Sequence, residues 1–185
     1  MILRWPNKNW KSTYDSYINK SDVAATFLNG FNIGVHNEWD GISFYQEIKN
    51  GDPFGREYLI VSQNAWSCQR TIRFDNWTLI KTYHSGLKNF PEIMLFDFEN
   101  DFHMTNNLAQ ERPEIVSKGL QFLNDWYNTM IKDPKSRIDP MDIVIKEGGP
   151  FHTRTELNNY INRLNRTGRD KMAKLILEKN ESYLY

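Results

Sequence analysis

The sequence predicts an α+β fold: a small four-stranded antiparallel sheet covered by a long amphipathic helix, with further C-terminal helices. Two patterns carry this prediction. Between residues 57 and 98 lie four short runs rich in β-branched and aromatic residues, separated by turn chemistry. After them, Ile115, Val116, Gly119, Phe122, Leu123, Trp126 and Met130 recur at helical spacing, a stripe able to cover one face of a sheet.

Taken in order, Met1-Ile2-Leu3-Arg4-Trp5-Pro6 is a strand-like run ended by proline, and residues 7–19 are polar and aromatic, as in a loop. Ser21 is a good N-cap for a helix over Asp22–Leu28, with Gly30 as its stop. Val23, Phe27 and Phe31 would give that helix one apolar side, and simple packing is its expected role. A short helix over Tyr45–Lys49 is followed by the turn pair Asn50-Gly51. Glu57–Ser62 is the first strand. The second, Arg70–Phe74, alternates polar and apolar residues, the period of a half-buried strand. Asp75-Asn76 can close a hairpin, since both residue types tolerate positive φ. The third strand, Trp77–Tyr83, puts Trp77, Leu79, Lys81 and Tyr83 on one face. The fourth, Ile93–Phe98, is apolar apart from Asp97, as a buried central strand would be. Asn100-Asp101 then ends the sheet. Pro113 suits a first helical turn, and Asp133-Pro134 ends that helix. Residues 137–146 are a connector, and Gly148-Gly149-Pro150 is a turn. Thr153 and Glu156 fit a capping box. Leu157, Tyr160, Ile161 and Leu164 form the apolar face of the next helix, Thr167-Gly168 breaks it, and Met172–Leu177 supports a last one.

Composition narrows function. The 185 residues carry a formal net charge of +0 with scattered Lys and Arg, which is not the basic footprint of a nucleic-acid binder. No apolar run approaches the ~20 residues of a membrane helix. The single cysteine, Cys68, excludes an intrachain disulfide and leaves the compartment open. Aromatic residues make up 14% of the chain, enough to fill a core, line a sugar-binding cleft or cover a partner.

The stretch 69–109 holds the pattern R-x-I-R-x-x-x-W-x-x-I-x-x-Y-H, then M-L-F-D-x-x-x-D-x-H-x-x-x-N-L-A. It resembles the C-terminal region of the type I sulfatases of the alkaline phosphatase superfamily. Gly148–Arg154 extends the resemblance, as do Asp22, Thr26 and Leu28 (D-x-x-x-T-x-L) and Asp40–Phe44 (D-G-x-S-F). Phe102 and Met104 depart from it, standing where Pro and an acidic residue are common. The resemblance implies that residues 1–55 are the end of the large α/β sulfatase domain and residues 56–185 the C-terminal subdomain. It implies calcium and formylglycine in the complete enzyme, acting on a sulfated carbohydrate or an aryl sulfate. The formylglycine motif C/S-x-P-S/A-R and the paired calcium-binding aspartates do not occur here, and Cys68 is followed by Gln69-Arg70-Thr71. The chain alone is therefore expected to be inactive, with a missing catalytic domain as partner and no cofactor of its own. A stand-alone carbohydrate-binding domain, or a structural or interaction domain on the same fold, is the alternative. A homodimer through the N-terminal third is also expected, because a cut strand edge and an uncovered helix face invite pairing.

Candidate binding residues follow. His84 ends a strand beside Ser85-Gly86, can donate to a sulfate or sugar oxygen, and has Tyr83 next to it as a sugar platform. His152 and Arg154 flank a helix N-terminus, where anions are favoured. Gln69 and Arg70 are either buried pairing residues or rim contacts. Asp97, Glu99, Asp101 and His103 could be metal ligands, but a strand end, turn and helix cap is the stronger reading because the glycine and terminal glutamate of a calcium loop are missing.

Overall fold

A computed structural model describes residues 1–8, 10, 13–51, 54–132 and 138–181, and the chain divides into two compact units, Met1–Leu59 and Ile60–Tyr185. In the first unit, α1 (Lys20–Gly30) and α2 (Tyr45–Asn50) are the regular elements. Met1–Pro6 forms no strand. A strand needs a partner ladder, and Met1 and Ile2 instead lie exposed. The cap of α1 is Asn19 and not Ser21, because the Asn19 N–H donates to Asp22 Oδ2 at 2.6 Å and Ser21 faces solvent.

The buried face of α1 also differs from the expected one. Asp22, Ala25 and Thr26 are buried, Val23 is only half-buried, and Phe27 and Phe31 are exposed beside the Trp5 ring. The reason is the Asp22 carboxylate, which is fully buried and must be met by donors. Arg56 meets it as a fork, Nη1 at 2.6 Å and Nη2 at 2.9 Å, and Ile42 N–H donates at 2.8 Å. Burial pushes the Asp22 carboxyl up, but Arg56 and the two backbone N–H groups outweigh it and hold the group below the usual range. Thr26 Oγ1 donates to Asp22 O at 2.7 Å and accepts from Phe44 N–H at 3.0 Å. One helix turn thus binds the backbone of 42–44. A Cβ on Gly41 would sit 2.3 Å from Ser21 O, so only glycine allows this approach. Gly51, at φ 77°, caps α2 in the left-handed region, as the Asn50-Gly51 pair predicts.

The second unit is built on a sheet in the order β1-β2-β3-β4, comprising Tyr58–Gln63, Cys68–Phe74, Trp77–His84 and Ile93–Asp97. β2 and β3 form the predicted hairpin, with Ile72 opposite Leu79 and Phe74 opposite Trp77, and Asp75 takes φ 45° in the turn. β4 runs antiparallel to β3 but is an edge strand, not a central one, and ends at Asp97. Its apolar character has another cause: Leu95 and Phe96 are buried, and the segment after it covers its free edge. Leu95 N–H donates to Asn107 Oδ1 at 2.9 Å, and Leu108 N–H donates to Leu95 O at 2.8 Å.

The long helix α3 (Pro113–Lys132) covers one sheet face. A Cβ on Gly119 would lie 2.8 Å from the Phe74 ring and 2.9 Å from Leu79, so glycine sets how closely α3 approaches. Leu123 is buried with Ile72, Phe74, Leu79 and Leu95 in the core, whereas Trp126 is only half-buried. The stop expected at Asp133-Pro134 lies outside the described residues. Where a connector was expected, Pro140–Lys146 forms a helix, α4: Asp139 Oδ1 accepts from Met141 N–H at 2.9 Å and Pro140 occupies the first turn. The helices α5 (Thr153–Arg166) and α6 (Asp170–Glu181) bury Leu164, Ala173 and Ile176 between them, flanked by Leu157, Tyr160 and Ile161. The predicted capping box does not form. Thr153 Oγ1 donates to Pro150 O at 2.7 Å, and Glu156 accepts from the Asn159 amide at 3.2 Å.

Asp22→Asn should lower the opening free energy of the first unit by about 3–5 kcal/mol, since it leaves a buried guanidinium without its charge partner. Hydrogen exchange at the Ile42 and Phe44 amides reads this directly. In the native protein the same contribution should be present above about pH 4, the unfolded carboxyl value, and should fade as pH falls through the lower folded value.

Candidate functional site

The candidates read from the sequence divide into two clusters. In the first, Arg70 is buried on β2 and ion-paired with the equally buried Asp139. Its guanidinium lies 5.5 Å from the Tyr83 ring, 5.0 Å from Trp126 and 5.5 Å from Tyr127. Tyr83 is half-buried, and burial pushes its phenol up. Gln69 is buried: its Oε1 accepts from Gln63 Nε2 at 2.6 Å and Ser67 Oγ at 2.8 Å, and its Nε2 donates to Thr82 Oγ1 at 3.0 Å. Gln69 and Arg70 are therefore pairing residues in the fold.

The second cluster centres on His84. Only 1% of its surface is exposed, and its Nδ1 accepts from Gly86 N–H at 3.0 Å. Gly149 lies against the ring: a Cβ there would be 2.4 Å from the His84 Cε1, and φ is 89°. Burial, helped by the nearby His152, drives the His84 imidazole down to about 4, so it is neutral near neutrality. Arg154 fixes the loop from outside. Its Nε donates to Gly149 O at 2.9 Å and its Nη1 meets Glu147 at 2.8 Å. Thr153 Oγ1 also donates to Gly148 O at 3.1 Å. The loop 148–150 is thereby held over His84 and delivers His152 to the surface, edge-to-face with Trp66 at 5.1 Å. His152 and Trp66 form part of a cleft of about 320 Å³, shared with Leu87, Lys88, Tyr160 and Arg163. Sequence reasoning missed Trp66, Lys88 and Arg163. The available signal was a tryptophan in the turn between two strands, where packing gives no reason for an indole.

No family model matches the chain, and no curated protein matches it. Solved structures do. BT4656, in complex with its substrate D-glucosamine-2-N,6-O-disulfate, is 20% identical with a TM-score of 0.52, over 63% of this chain and 25% of that one. A Bacteroides thetaiotaomicron protein described as a sulfatase is 20% identical with a TM-score of 0.50, over 64% of this chain and 26% of that one. This is the fold of a sulfatase C-terminal region. The chain spans about a quarter of the length of these sulfatase structures.

Two features bear on sulfatase chemistry. The Asp97 oxygens are taken up by their own turn, accepting from Glu99 N–H at 3.1 Å and the Asn100 side chain at 2.8 Å. Asp101 Oδ2 likewise accepts from Thr105 N–H at 2.7 Å and Asn106 N–H at 2.8 Å. These bonds hold both carboxyls below their ordinary values, Asp97 chiefly through Asn100 and Asp101 chiefly through Asn106. The segment thus closes turns, and the expected helix cap does not form here, because the next helix starts only at Pro113. Among the described residues no group of three or more His, Cys, Asp or Glu side chains is arranged to hold a metal ion. Cys68 is buried, and burial pushes its thiol up to about 11, which leaves it protonated and inert as a nucleophile.

His84 predicts a pH response. Its folded value lies below the unfolded one, so its contribution to stability is complete above about pH 6.5 and is lost as pH falls toward 4. Unfolding titrations across that window should show stability falling, with a shallower fall in His84→Gln. Parallel curves for the two proteins would remove His84 as the cause.

Proposed function

We propose that this chain is the C-terminal portion of a sulfatase, a hydrolase of sulfuric esters of carbohydrates or aryl groups. Residues 1–55 are the end of the large α/β domain and residues 56–185 the C-terminal subdomain. The nucleophile and calcium ligands belong to a catalytic domain outside these residues. The single observation that carries the reading is the fold, shared with about a quarter of the length of sulfatase structures. Of the candidates, His152 faces an open cleft, Tyr83 is half-exposed and Arg154 is exposed, so these are the groups that can touch a sulfated substrate. His84, Gln69 and Arg70 act as positioning residues beneath them.

The purified chain with an aryl sulfate and added calcium should show no turnover. Co-expression with a catalytic domain carrying C/S-x-P-S/A-R should give sulfate release that neither chain shows alone. Turnover by this chain alone, abolished by mutating one of its own residues, would overturn the reading.

Self-association belongs to the same proposal. Phe31 and Ile33 stand exposed near Phe27 in the first unit, and a second copy is the commonest cover for such a face. Sedimentation at micromolar concentration should show a dimer that Phe31→Glu converts to monomer; a monomer in both cases would show that the face stays uncovered.

A further inference from the structure

His84 lies inside the second unit, yet two short routes join it to the surface. Its Nδ1 accepts from the Gly86 N–H at 3.0 Å, so the neutral ring carries its proton on Nε2 and Nδ1 is the atom a further proton must take. Gly86 has φ 65°, and a Cβ on it would lie 2.2 Å from Trp66 O, so this turn presses on the backbone that carries the Trp66 indole. Asn180 Nδ2 holds the same turn from α6, donating to Gly86 O at 3.3 Å. The second route is Gly149, which roofs the ring and leads to His152, 5.1 Å from Trp66 between ring centres. Both aromatic walls of the cleft are thus positioned through one imidazole. Each route passes through glycines at positive φ, Gly86 on one side and Gly148 and Gly149 on the other, which can leave that conformation without a side-chain clash.

We propose that His84 is a proton-operated latch: a proton from solvent on its Nδ1 frees the Gly86 turn and the 148–150 loop together, and the Trp66–His152 wall separates while the sheet stays folded. The proton sets two donors face to face, so the bond from Gly86 N–H is lost. The imidazolium then needs a carboxylate or water, and the groups around it supply neither. His152 opposes a second positive charge. Arg154 is itself a cation, and it already holds Glu147, the carboxylate of this loop, at 2.8 Å. Cys68, opposite His84 across the sheet, keeps its thiol proton because burial pushes it up to about 11. Asn180 spends its amide donors on Gly86 O and Ile176 O. Gly149 lies too close to the ring for water to enter. An uncompensated buried charge costs several kcal/mol, more than opening a surface loop. Since the loop and the Gly86 turn both lie beyond the last residue of β3, the sheet ladder need not break. The latch stands whether or not His152 touches a substrate.

Amide hydrogen exchange of the full chain, followed by NMR and corrected for intrinsic rates, tests it. The reporters are the N–H groups of Gly86 and of Thr153, which donates to Pro150 O at 2.8 Å. The open ring titrates near the ordinary 6.5 and the closed ring near 4, so protection at both should fall about tenfold per pH unit between those values. Throughout that window both should be about tenfold or more less protected than Ile72 and Leu79 in the sheet, and the cross-peaks between the Trp66 and His152 rings should fade. His84→Gln should flatten the slope. Glu147→Gln and His152→Gln should keep it, which separates the latch from the loop's carboxylate and from the cleft imidazole. Where His84→Gln does not fold, the His84 ring nitrogens decide, and they should titrate over the same window. Exchange that is independent of pH, a slope lost in Glu147→Gln or His152→Gln, a slope kept in His84→Gln, a His84 ring that stays neutral while exchange accelerates, ring cross-peaks that persist, or protection equal to that of Ile72 and Leu79 would overturn the latch.

Discussion

A guanidinium taken out of water must be given a carboxylate, because an unpaired buried charge costs several kcal/mol. Arg70 imposes this requirement on the second unit. Its partner is Asp139, 69 residues later in the chain, which also caps α4. Placing Arg70 on β2 therefore places the start of α4. The planar cation has two faces and needs aromatic or polar cover, which Trp126 and Tyr127 of α3 and Tyr83 of β3 supply. One charge thus brings together the sheet, its covering helix and the following helix. The ion pair adds little net stability, since desolvating two charges offsets most of their attraction. Its effect is on arrangement: alternative packings of α3 and α4 would leave the charge unpaired.

A second constraint acts at the last residue of β3, His84. A neutral imidazole with almost no exposure can be covered closely, and Gly149 lies nearer to the His84 ring than any residue with a Cβ could. The positive φ of both Gly148 and Gly149 lets the chain turn sharply there, and Arg154 and Thr153 bind the loop's carbonyls once it has turned. The consequence is at the surface. Two residues after this turn, His152 is held at a fixed place and fixes Trp66 in turn. The buried histidine is structural, and the cleft residue depends on it for position.

The regular elements were legible because local pattern decides them. Alternation in 70–74, the Asp75-Asn76 turn and the stripe of α3 all formed as the periodicities predict. What the sequence could not show is where long-range partners lie. A strand of apolar residues can be buried by strands on both sides or, like β4, by one strand and a covering loop, and the run itself reads the same in either case. His84 read as surface chemistry because polar residues usually lie there, and the sequence left Gln69 and Arg70 open as buried pairing residues or rim contacts. Only Asp139, Thr82 and Gly149 turn them into interior residues. The α4 helix was legible in principle, since Asp139-Pro140 is a cap followed by an N1 proline, but its 7 residues are too short for a periodic pattern to register.

The first unit shows the same physics in a helix that looks ordinary. An amphipathic reading of α1 puts Val23, Phe27 and Phe31 inside, because apolar burial is the usual driving force. The observed helix is rotated so that Asp22 and Thr26 face inward and the two phenylalanines lie outside beside Trp5. Deciding between the two orientations means comparing area with charge. Burying two phenylalanines is worth roughly 3–6 kcal/mol. Against that, Asp22 in its present place accepts four hydrogen bonds, two from a guanidinium, and so satisfies the N–H groups of Asn19 and Ile42 as well as its own charge. Rotating the helix would leave Arg56 and the 42–44 backbone without their partners, at about 3–5 kcal/mol for the charge alone and 1–3 for each orphaned amide. The phenylalanines recover part of their loss against Trp5, whereas Arg56 would keep only the Tyr17 carbonyl, 3.0 Å from its Nη1, and the Ile42 and Phe44 N–H groups would lose their acceptors. The polar network therefore sets the orientation of α1, and the apolar side chains take what contact is left.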